Sequence, residues 1–200
     1  MIKILVVEDQ ALVRGAISSL LSLETDFEVV GDVENGLQAL EFIQHRDVDF
    51  ILSDIEMPQM SGLELAEQLF EQKAKVQLVI MTTFSKSGYI KRAIDLGVKA
   101  FILKESPTDY LVDAIKKVQA GQRVIAPELA LMALEDKDPL SDKERKAIKL
   151  AGDGLKTADI AAKLYLSEGT VRNYLSEAIA KLNATNRIDA ARIAKQKGWI

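Results

Sequence analysis

Glu8 and Asp9, Asp54, Thr82 and Lys104 share one placement: each stands at or just past the end of a short apolar run. The runs are Ile4-Leu5-Val6-Val7, Phe50-Ile51-Leu52, Leu78-Val79-Ile80-Met81 and Phe101-Ile102-Leu103. Carboxylates brought together in this way suit a hard divalent cation such as Mg²⁺, which takes oxygen ligands and keeps several waters. An aspartate beside such a cation can attack a phosphoryl donor and carry the group as an aspartyl-phosphate. Lys104 would offset charge on the phosphoryl oxygens, and Thr82 would donate a hydrogen bond to one of them. Each residue alone has a plainer explanation, because Asp at a strand end is usually a turn or cap residue and Lys or Thr there is ordinary. The chemistry rests on their joint order, each following a core strand.

That order needs a fold that gathers strand ends. Short apolar runs alternating with helical periodicity predict parallel strands of an α/β sheet near 2–7, 28–33, 49–53, 77–82 and 99–103. Helical patterns fill the gaps near 10–23, 36–46, 62–72, 87–96 and 107–120, with Gly97 and Gly121 as stop signals. Right-handed crossovers then cover both faces of the sheet, and a site forms outside the carboxyl ends of the strands. The expected fold is a flavodoxin-like (βα)5 unit over 1–121, a linker over 122–137, and a four-helix unit over 138–200. The linker region holds Pro127, with a short helix expected near 127–134, and the charged run Glu135-Asp136-Lys137-Asp138 leads to Pro139.

After Pro139 the pattern is helical only. Ser141, three residues before Glu144, has capping-box spacing and opens a helix to about Ala151, which Gly152 and Gly154 break. Thr157 is expected to cap a helix through Leu164, Ser167 one to about Leu182, and Asn186 one to about Lys197. The middle pair has helix-turn-helix proportions. Val171, Leu175 and Ile179 fall at helical spacing and should face a core, leaving Arg172, Asn173 and Ser176 outward. Arg can pair bidentately with guanine and Asn with adenine in a major groove. Thr170, on the same helix, is a further candidate DNA contact, and Lys156, Lys163, Lys181 and Arg187 are candidate phosphate contacts. An isolated helix of mixed charge is more often simply solvated.

Composition bounds the alternatives. Hydrophobic residues make up 48 % of 200, enough for packed cores and against disorder. With no Cys, disulfides, thiol nucleophiles and thiolate-bound zinc are excluded. The single His, His45, is read as a solvated residue near a helix end. No run reaches membrane-span length and no leader pattern precedes the strand starting at Ile2, so a cytoplasmic protein without membrane partners is expected. Net charge is −6 over residues 1–125, −3 over 126–139 and +5 over 140–200, which assigns polyanion binding to the last part.

Residues 1–121 resemble a receiver domain of two-component signalling. The resemblance lies in Val7-Glu8-Asp9, Asp54-Ile55-Glu56-Met57-Pro58 with Gly62, Met81-Thr82-Thr83, and Phe101-Ile102-Leu103-Lys104. It implies Asp54 as phosphoacceptor; Glu8, Asp9, Asp54 and the carbonyl of Glu56 as Mg²⁺ holders; Thr82 and Phe101 as switch residues; and Lys104 as the phosphoryl-facing cation. Glu105 follows Lys104 where many receivers have Pro. Residues 138–200 resemble the LuxR-type DNA-binding domain, through Pro139-Leu140-Ser141-Asp142-Lys143-Glu144, Gly154, Ile160-Ala161, Leu164, Leu166-Ser167, Thr170-Val171-Arg172-Asn173, and Lys181-Leu182 to Asn186-Arg187. Tyr174 departs from the commonest pattern, which has His there; a Tyr hydroxyl can still reach a phosphate.

Together the two parts resemble a NarL/FixJ-type response regulator. The resemblance implies a sensor histidine kinase as phosphoryl donor, promoter DNA as ligand, a homodimer after phosphorylation, and RNA polymerase as a further partner. Helices 10–23 and 107–120 are the expected dimer face, with Ala11, Leu12, Ala114 and Val118 as apolar contacts. Stretches including Leu20-Leu21-Ser22-Leu23-Glu24, Thr82-Thr83-Phe84, Ser106-Pro107 and Lys197-Gly198-Trp199 resemble the members of the family that control membrane-lipid desaturase genes in answer to a cold-sensing kinase. Two rivals stay open. One is a constitutive DNA binder whose receiver tunes protein partners. The other is an aspartyl-phosphate phosphatase, since Glu56 has the offset of a second carboxylate; such enzymes favour Asp there and need a cap or substrate pocket. The chain is otherwise read as no enzyme.

Overall fold

The computed structural model describes residues 1–83, 87–135 and 138–200; Phe84 and the Asp136-Lys137 part of the charged run lie outside the described residues. The chain divides into two compact units, formed by most of residues 1–131 and most of 132–200. In chain order come β1 (Ile2–Val7), α1 (Ala11–Leu21), β2 (Phe27–Val33), α2 (Gly36–His45), β3 (Phe50–Asp54), α3 (Gly62–Glu71), β4 (Gln77–Thr82), α4 (Ser87–Asp95), β5 (Ala100–Leu103) and α5 (Thr108–Gln119). These follow the expected elements to within about two residues, with the differences at the ends of both strands and helices, where boundaries are soft.

Every strand pairing is parallel, and the order is β2-β1-β3-β4-β5-β6, where β6 is Val124–Ile125. The sheet is one strand wider than the (βα)5 expectation. A two-residue strand is too short to show a pattern, and it forms because Gly121 at φ +85° turns the chain back along β5. The Val124 amide then donates to the Lys99 carbonyl at 3.0 Å, and the Ala126 amide to that of Phe101 at 3.0 Å. Part of the segment read as linker therefore completes the sheet edge, and α6 (Pro127–Glu135) occupies most of the rest, starting at Pro127 as expected.

Both sheet faces are buried, which is why the strands read as continuous apolar runs. Ile4, Val6, Phe50, Leu52, Val79, Met81 and Ile102 share one core with Ile17 and Leu21 of α1 and with Leu111, Val112, Ala114, Ile115 and Val118 of α5. The alternate residues Leu5, Val7, Ile51, Ile80 and Phe101 are buried as well. This corrects the expected dimer contacts. Ala114 and Val118 are fully buried against the sheet, because the apolar stripe of α5 is the face that covers it. Leu12 of α1 is 87 % exposed, so only the α1 half of that pair presents an apolar surface. His45 ends α2 exposed, with Nδ1 2.9 Å from the Glu41 carbonyl, as a solvated helix-end residue should be.

The second unit contains α7 (Asp142–Gly152), α8 (Thr157–Leu164), α9 (Glu168–Lys181) and α10 (Arg187–Lys197). Its core joins Leu140, Ile148, Ile160, Val171, Leu175, Leu182 and Trp199 to the small residues Ala147, Ala151, Ala178, Ala190, Ala191 and Ala194. Alanine at the crossings lets short helices approach closely. Ser141 closes a capping box with Glu144, Ser167 accepts from the Thr170 amide, and Asn186 from those of Ile188 and Asp189, all as expected. Thr157 does not cap α8: it is the first helical residue, and the N-cap is Lys156, whose side chain has no capping acceptor.

Tyr165 closes α8 in the left-handed conformation, at φ 56° and ψ 44°, with its ring 95 % exposed. That conformation costs an L-residue roughly 1–2 kcal/mol, and glycine's greater freedom when unfolded returns roughly 0.5–1 kcal/mol of the gain from replacing it. Tyr165→Gly should therefore stabilise this unit by about 0.5–1 kcal/mol, since almost no packing is lost. Trp199, the one tryptophan of the chain and 7 % exposed in this core, reports the transition by its fluorescence. A lower unfolding midpoint would contradict the expectation.

Glu144 is 4 % exposed and accepts from the Lys181 ammonium at 2.9 Å through both carboxylate oxygens. Burial pushes its pKa up, but the Lys181 ammonium and the Ser141 amide and hydroxyl outweigh burial, and the net shift is below the ordinary 4.5. A lowered carboxylate stabilises the fold fully above its ordinary value, and that contribution disappears as pH falls through the lowered one. Glu144→Gln should cost about 1–2 kcal/mol at neutral pH, a range held down by the partial exposure of Lys181. The wild-type advantage in Trp199-reported unfolding should shrink as pH falls below 4.5. An advantage unchanged by pH would place the stabilisation elsewhere.

Candidate functional site

The order of the sheet reverses between β1 and β3, and such switch points open a crevice at the carboxyl ends of the strands. Register places the acidic residues there. Val7 pairs with Ser53, so Glu8 and Asp9 leave β1 beside Asp54, the last residue of β3. Met81 pairs with Asp54 and Leu103 with Thr82, which brings the ends of β4 and β5 to the same rim. The Lys104 amide donates to the Thr82 carbonyl at 2.8 Å and draws those two ends together.

Glu8, Asp9 and Asp54 each offer a carboxylate oxygen within 4.8 Å of the others. The Lys104 ammonium lies 2.6 Å from Glu8 Oε2 and 3.1 Å from Asp54 Oδ2. The other oxygen of Asp54 accepts from the Ile55 amide at 2.7 Å. Glu8 and Thr82 are buried, Asp54 is 9 % exposed, and Asp9 is open to solvent. Phe101 is fully buried beside Ile80 in the ladder. Glu56 follows in the β3–α3 loop with an exposed side chain.

Burial dominates the electrostatics of the site. Burial raises the pKa of Asp54, and the Lys104 ammonium and the Ile55 amide offset this only in part. Glu8 is raised by burial too, against its hydrogen bond to Lys104. Burial works against the charged Lys104, yet the two carboxylates outweigh it and its pKa is raised. Among the described residues, the three clustered carboxylates form an all-oxygen donor set that suits a hard divalent cation, with the Lys104 ammonium bridging two of them.

Gly62 fits between these parts. A Cβ there would lie 2.1 Å from the Asp54 carbonyl oxygen and 3.1 Å from its carbon, and the Gly62 amide donates to the Ile55 carbonyl at 2.9 Å. The sequence pattern named Gly62 without showing this reason. It missed Arg14 altogether, whose guanidinium reaches the Glu8 and Asp9 carbonyls.

In the helical unit, Arg172, Asn173 and Ser176 lie exposed on α9, and Val171 and Leu175 face the core as expected. Arg172 pairs with Glu168 one turn back at 2.9 Å, an exposed and therefore weak pair. Lys156 and Lys163 are exposed, while Arg187 is half-buried at the start of α10. Thr170 shares a 2.8 Å hydroxyl contact with Ser167. Tyr174 packs half-buried on the domain core. Lys181 is occupied by Glu144 rather than standing free on the surface.

Comparison with known proteins agrees with both units. The model described as "Response regulator receiver domain" matches residues 4–116, and that described as "Bacterial regulatory proteins, luxR family" matches 138–194. The transcriptional regulatory protein YvfU of Bacillus subtilis strain 168, itself described as uncharacterized, is 46 % identical over 200 residues, covering 100 % of both chains. The transcriptional regulatory protein DesR of the same strain is 45 % identical over 199 residues, covering 100 % of this chain and 99 % of DesR. Among solved structures, RcsB of Salmonella enterica serovar Typhimurium, bound to a promoter with a phosphomimetic, matches with a TM-score of 0.68. It covers 98 % of each chain at 21 % identity, a likeness of fold. No helix among the described residues is long and apolar enough to cross a membrane. The chain belongs to the response-regulator receiver family, in the form that joins a receiver to a LuxR-type helix-turn-helix, and is a DNA-binding transcription regulator of two-component signalling.

Proposed function

We propose that Asp54 is the phosphoacceptor, and that its phosphorylation by a sensor histidine kinase switches DNA binding by the helical unit. The observation that carries this reading is the convergence of Lys104 on both Glu8 and Asp54, inside a cradle of three carboxylates. An oxygen of Asp54 attacks the phosphorus of a kinase phosphohistidine; the phosphorus–nitrogen bond breaks and its electron pair returns to the imidazole. Bound Mg²⁺ supplies charge that offsets the phosphoryl oxygens. Glu8, Asp9, Asp54 and the Glu56 carbonyl are the proposed holders. Lys104 then exchanges its carboxylate partners for a phosphoryl oxygen, and Thr82 donates its hydroxyl to another. Phe101 follows Thr82 as the buried aromatic of the switch, which biases an existing two-state equilibrium.

The functional parts in this reading are a receiver over 1–121, a linker over 122–137 and a DNA-binding domain over 138–200, in a cytoplasmic protein. Arg172, Asn173 and Ser176 read bases, Thr170 is a further DNA contact on the same helix, and Lys156, Lys163, Arg187, Lys181 and the Tyr174 hydroxyl lie at phosphates, although Lys181 is also held by Glu144 and Tyr174 is half-buried on the core. Phosphorylated homodimers suit two-fold operators with half-sites about one helical turn apart. RNA polymerase is the further partner at the promoter. Control of a fatty-acid desaturase gene is the proposed output, resting on the family resemblance carried by such stretches as Leu20-Leu21-Ser22-Leu23-Glu24 and Lys197-Gly198-Trp199.

Genome-wide binding of the purified chain, with and without beryllofluoride, tests the proposal. Sites gained only with the mimic, one of them beside a desaturase gene, support the whole reading. Mimic-dependent sites elsewhere keep the switch and remove the lipid role. Equal binding in both states favours a constitutive DNA binder whose receiver tunes protein partners.

A further inference from the structure

Arg14 lies one turn into α1 with its side chain only 13 % exposed, an unusual burial for a guanidinium on a surface helix. Its partners explain the burial. Nη1 donates to the Glu8 carbonyl at 2.7 Å and, at a longer 3.4 Å, to the Asp9 carbonyl. Nε donates to Asp32 Oδ1 at 2.9 Å, and Nη2 to Glu34 Oε1 at 3.3 Å. Asp32 belongs to β2 and Glu34 follows it, so one planar group spans the loop after β1 and the end of the neighbouring strand. The fork of five donors in fixed geometry suits this spanning role; an ammonium is a single point donor.

We propose that Arg14 is a positioning residue for the acidic cradle. It fastens the backbone of Glu8 and Asp9 to the end of β2, and so sets how tightly the cradle binds Mg²⁺. This rests on the reading of Glu8, Asp9 and Asp54 as the metal holders. Two carbonyls are held on the very residues whose carboxylates must converge. The Glu8 amide is also tied to β2, through the Val33 carbonyl at 3.0 Å, so Arg14 completes a clamp that the ladder begins. Without the guanidinium, the loop must be ordered at the moment of metal binding, which lowers affinity.

Charge alone predicts the opposite sign. A cation beside a cation site repels Mg²⁺, and its removal would tighten binding. Loss of Arg14 also leaves Asp32 and Glu34 without their cation, so weaker Mg²⁺ binding on its removal can come only from the lost geometric hold, acting against charge.

The test titrates Mg²⁺ into the full-length, unphosphorylated chain by calorimetry, and separately follows phosphorylation by a small acyl phosphate as Mg²⁺ is varied. Arg14→Ala should weaken Mg²⁺ binding about tenfold or more, the range found for groups that orient metal ligands. Its phosphorylation rate at saturating Mg²⁺ should stay within about twofold of wild type, a split that general loss of structure does not produce. Arg14→Lys keeps the charge but not the span, and should fall between the two. If Arg14→Ala is unstable, Arg14→Lys carries the test, because it keeps the charge and loses only the span, so weaker Mg²⁺ binding in it reports geometry alone. Unchanged or tighter Mg²⁺ binding in these variants, with wild type binding normally, overturns the inference. Wild type that binds no Mg²⁺ overturns the cradle itself, and the inference with it.

Discussion

Asp54→Ala should leave no measurable Mg²⁺-dependent phosphorylation while the chain stays folded. The loss follows from the placement of the nucleophile. Asp54 ends β3 with one carboxylate oxygen 3.1 Å from Lys104; Glu8 is buried and tied more tightly to Lys104, at 2.6 Å, and Asp9 is open to solvent. The retained fold follows from the raised pKa of Asp54, whose first cause is burial. A carboxylate raised in the folded state is more easily ionised in the unfolded one. Above its folded pKa its charge therefore costs stability, and removing it relieves that cost. The lost hydrogen bond from the Ile55 amide works the other way. Since the two oppose, the unfolding midpoint should correspond to a change within about 1 kcal/mol. Radiolabel transfer from a small acyl phosphate, alongside thermal unfolding, separates chemistry from fold. Label retained with the same dependence on Mg²⁺ would move the phosphoacceptor to another residue.

Gly62→Ala should be the most damaging single methyl addition in the receiver. The new carbon would lie 2.1 Å from a backbone oxygen and 3.2 Å from the Ile55 Cα, contacts that no flexible side chain can yield. The strain must move the end of β3 or the start of α3. Moving α3 disturbs its capping box, in which Ser61 and Glu64 exchange bonds, and the buried Leu63 and Leu65 beyond it. Overpacking usually costs 1–3 kcal/mol, and a clash with backbone belongs at the upper end, about 3 kcal/mol. The displaced atoms belong to Asp54 itself, so phosphorylation should slow by about tenfold or more, in line with the sensitivity of such reactions to small misplacements. Urea unfolding followed by far-ultraviolet circular dichroism measures the stability part. An unchanged transition and an unchanged phosphorylation rate would mean that the β3–α3 loop yields freely, contrary to the hydrogen bond it keeps from Gly62 to Ile55.

Much of this molecule is set by local pattern. Strands buried on both faces are continuous apolar runs, helices covering them repeat every three to four residues, and right-handed crossovers then leave a single arrangement of strand ends. Glu8, Asp9, Asp54, Thr82 and Lys104 could be grouped from the sequence because each follows its strand directly, and parallel strands point the same way. Helix starts at Ser141, Ser167 and Asn186 were readable because a cap acts within three residues. Thr157 was misread as a cap because a threonine at the first helical position and one at the N-cap look alike in sequence.

Other features depended on residues far apart in the chain. Arg14 meets acidic partners 18 and 20 residues away and two backbone carbonyls, and carbonyls carry no sequence signal. Val124 and Ile125 become a strand only because β5 presents an open edge for them. Ala114 and Val118 read as contact residues on an amphipathic helix, yet the sheet takes that face and leaves Leu12 of α1 outside. Lys181 is a surface cation as its sequence context suggests, but its pairing with Glu144, 37 residues before it, depends on the fold. Sequence by itself determined which elements form and which chemistry-bearing residues end them, because both are local. Tertiary structure decided which faces are covered and which charges are paired, because burial and hydrogen bonding join atoms that the chain order keeps apart.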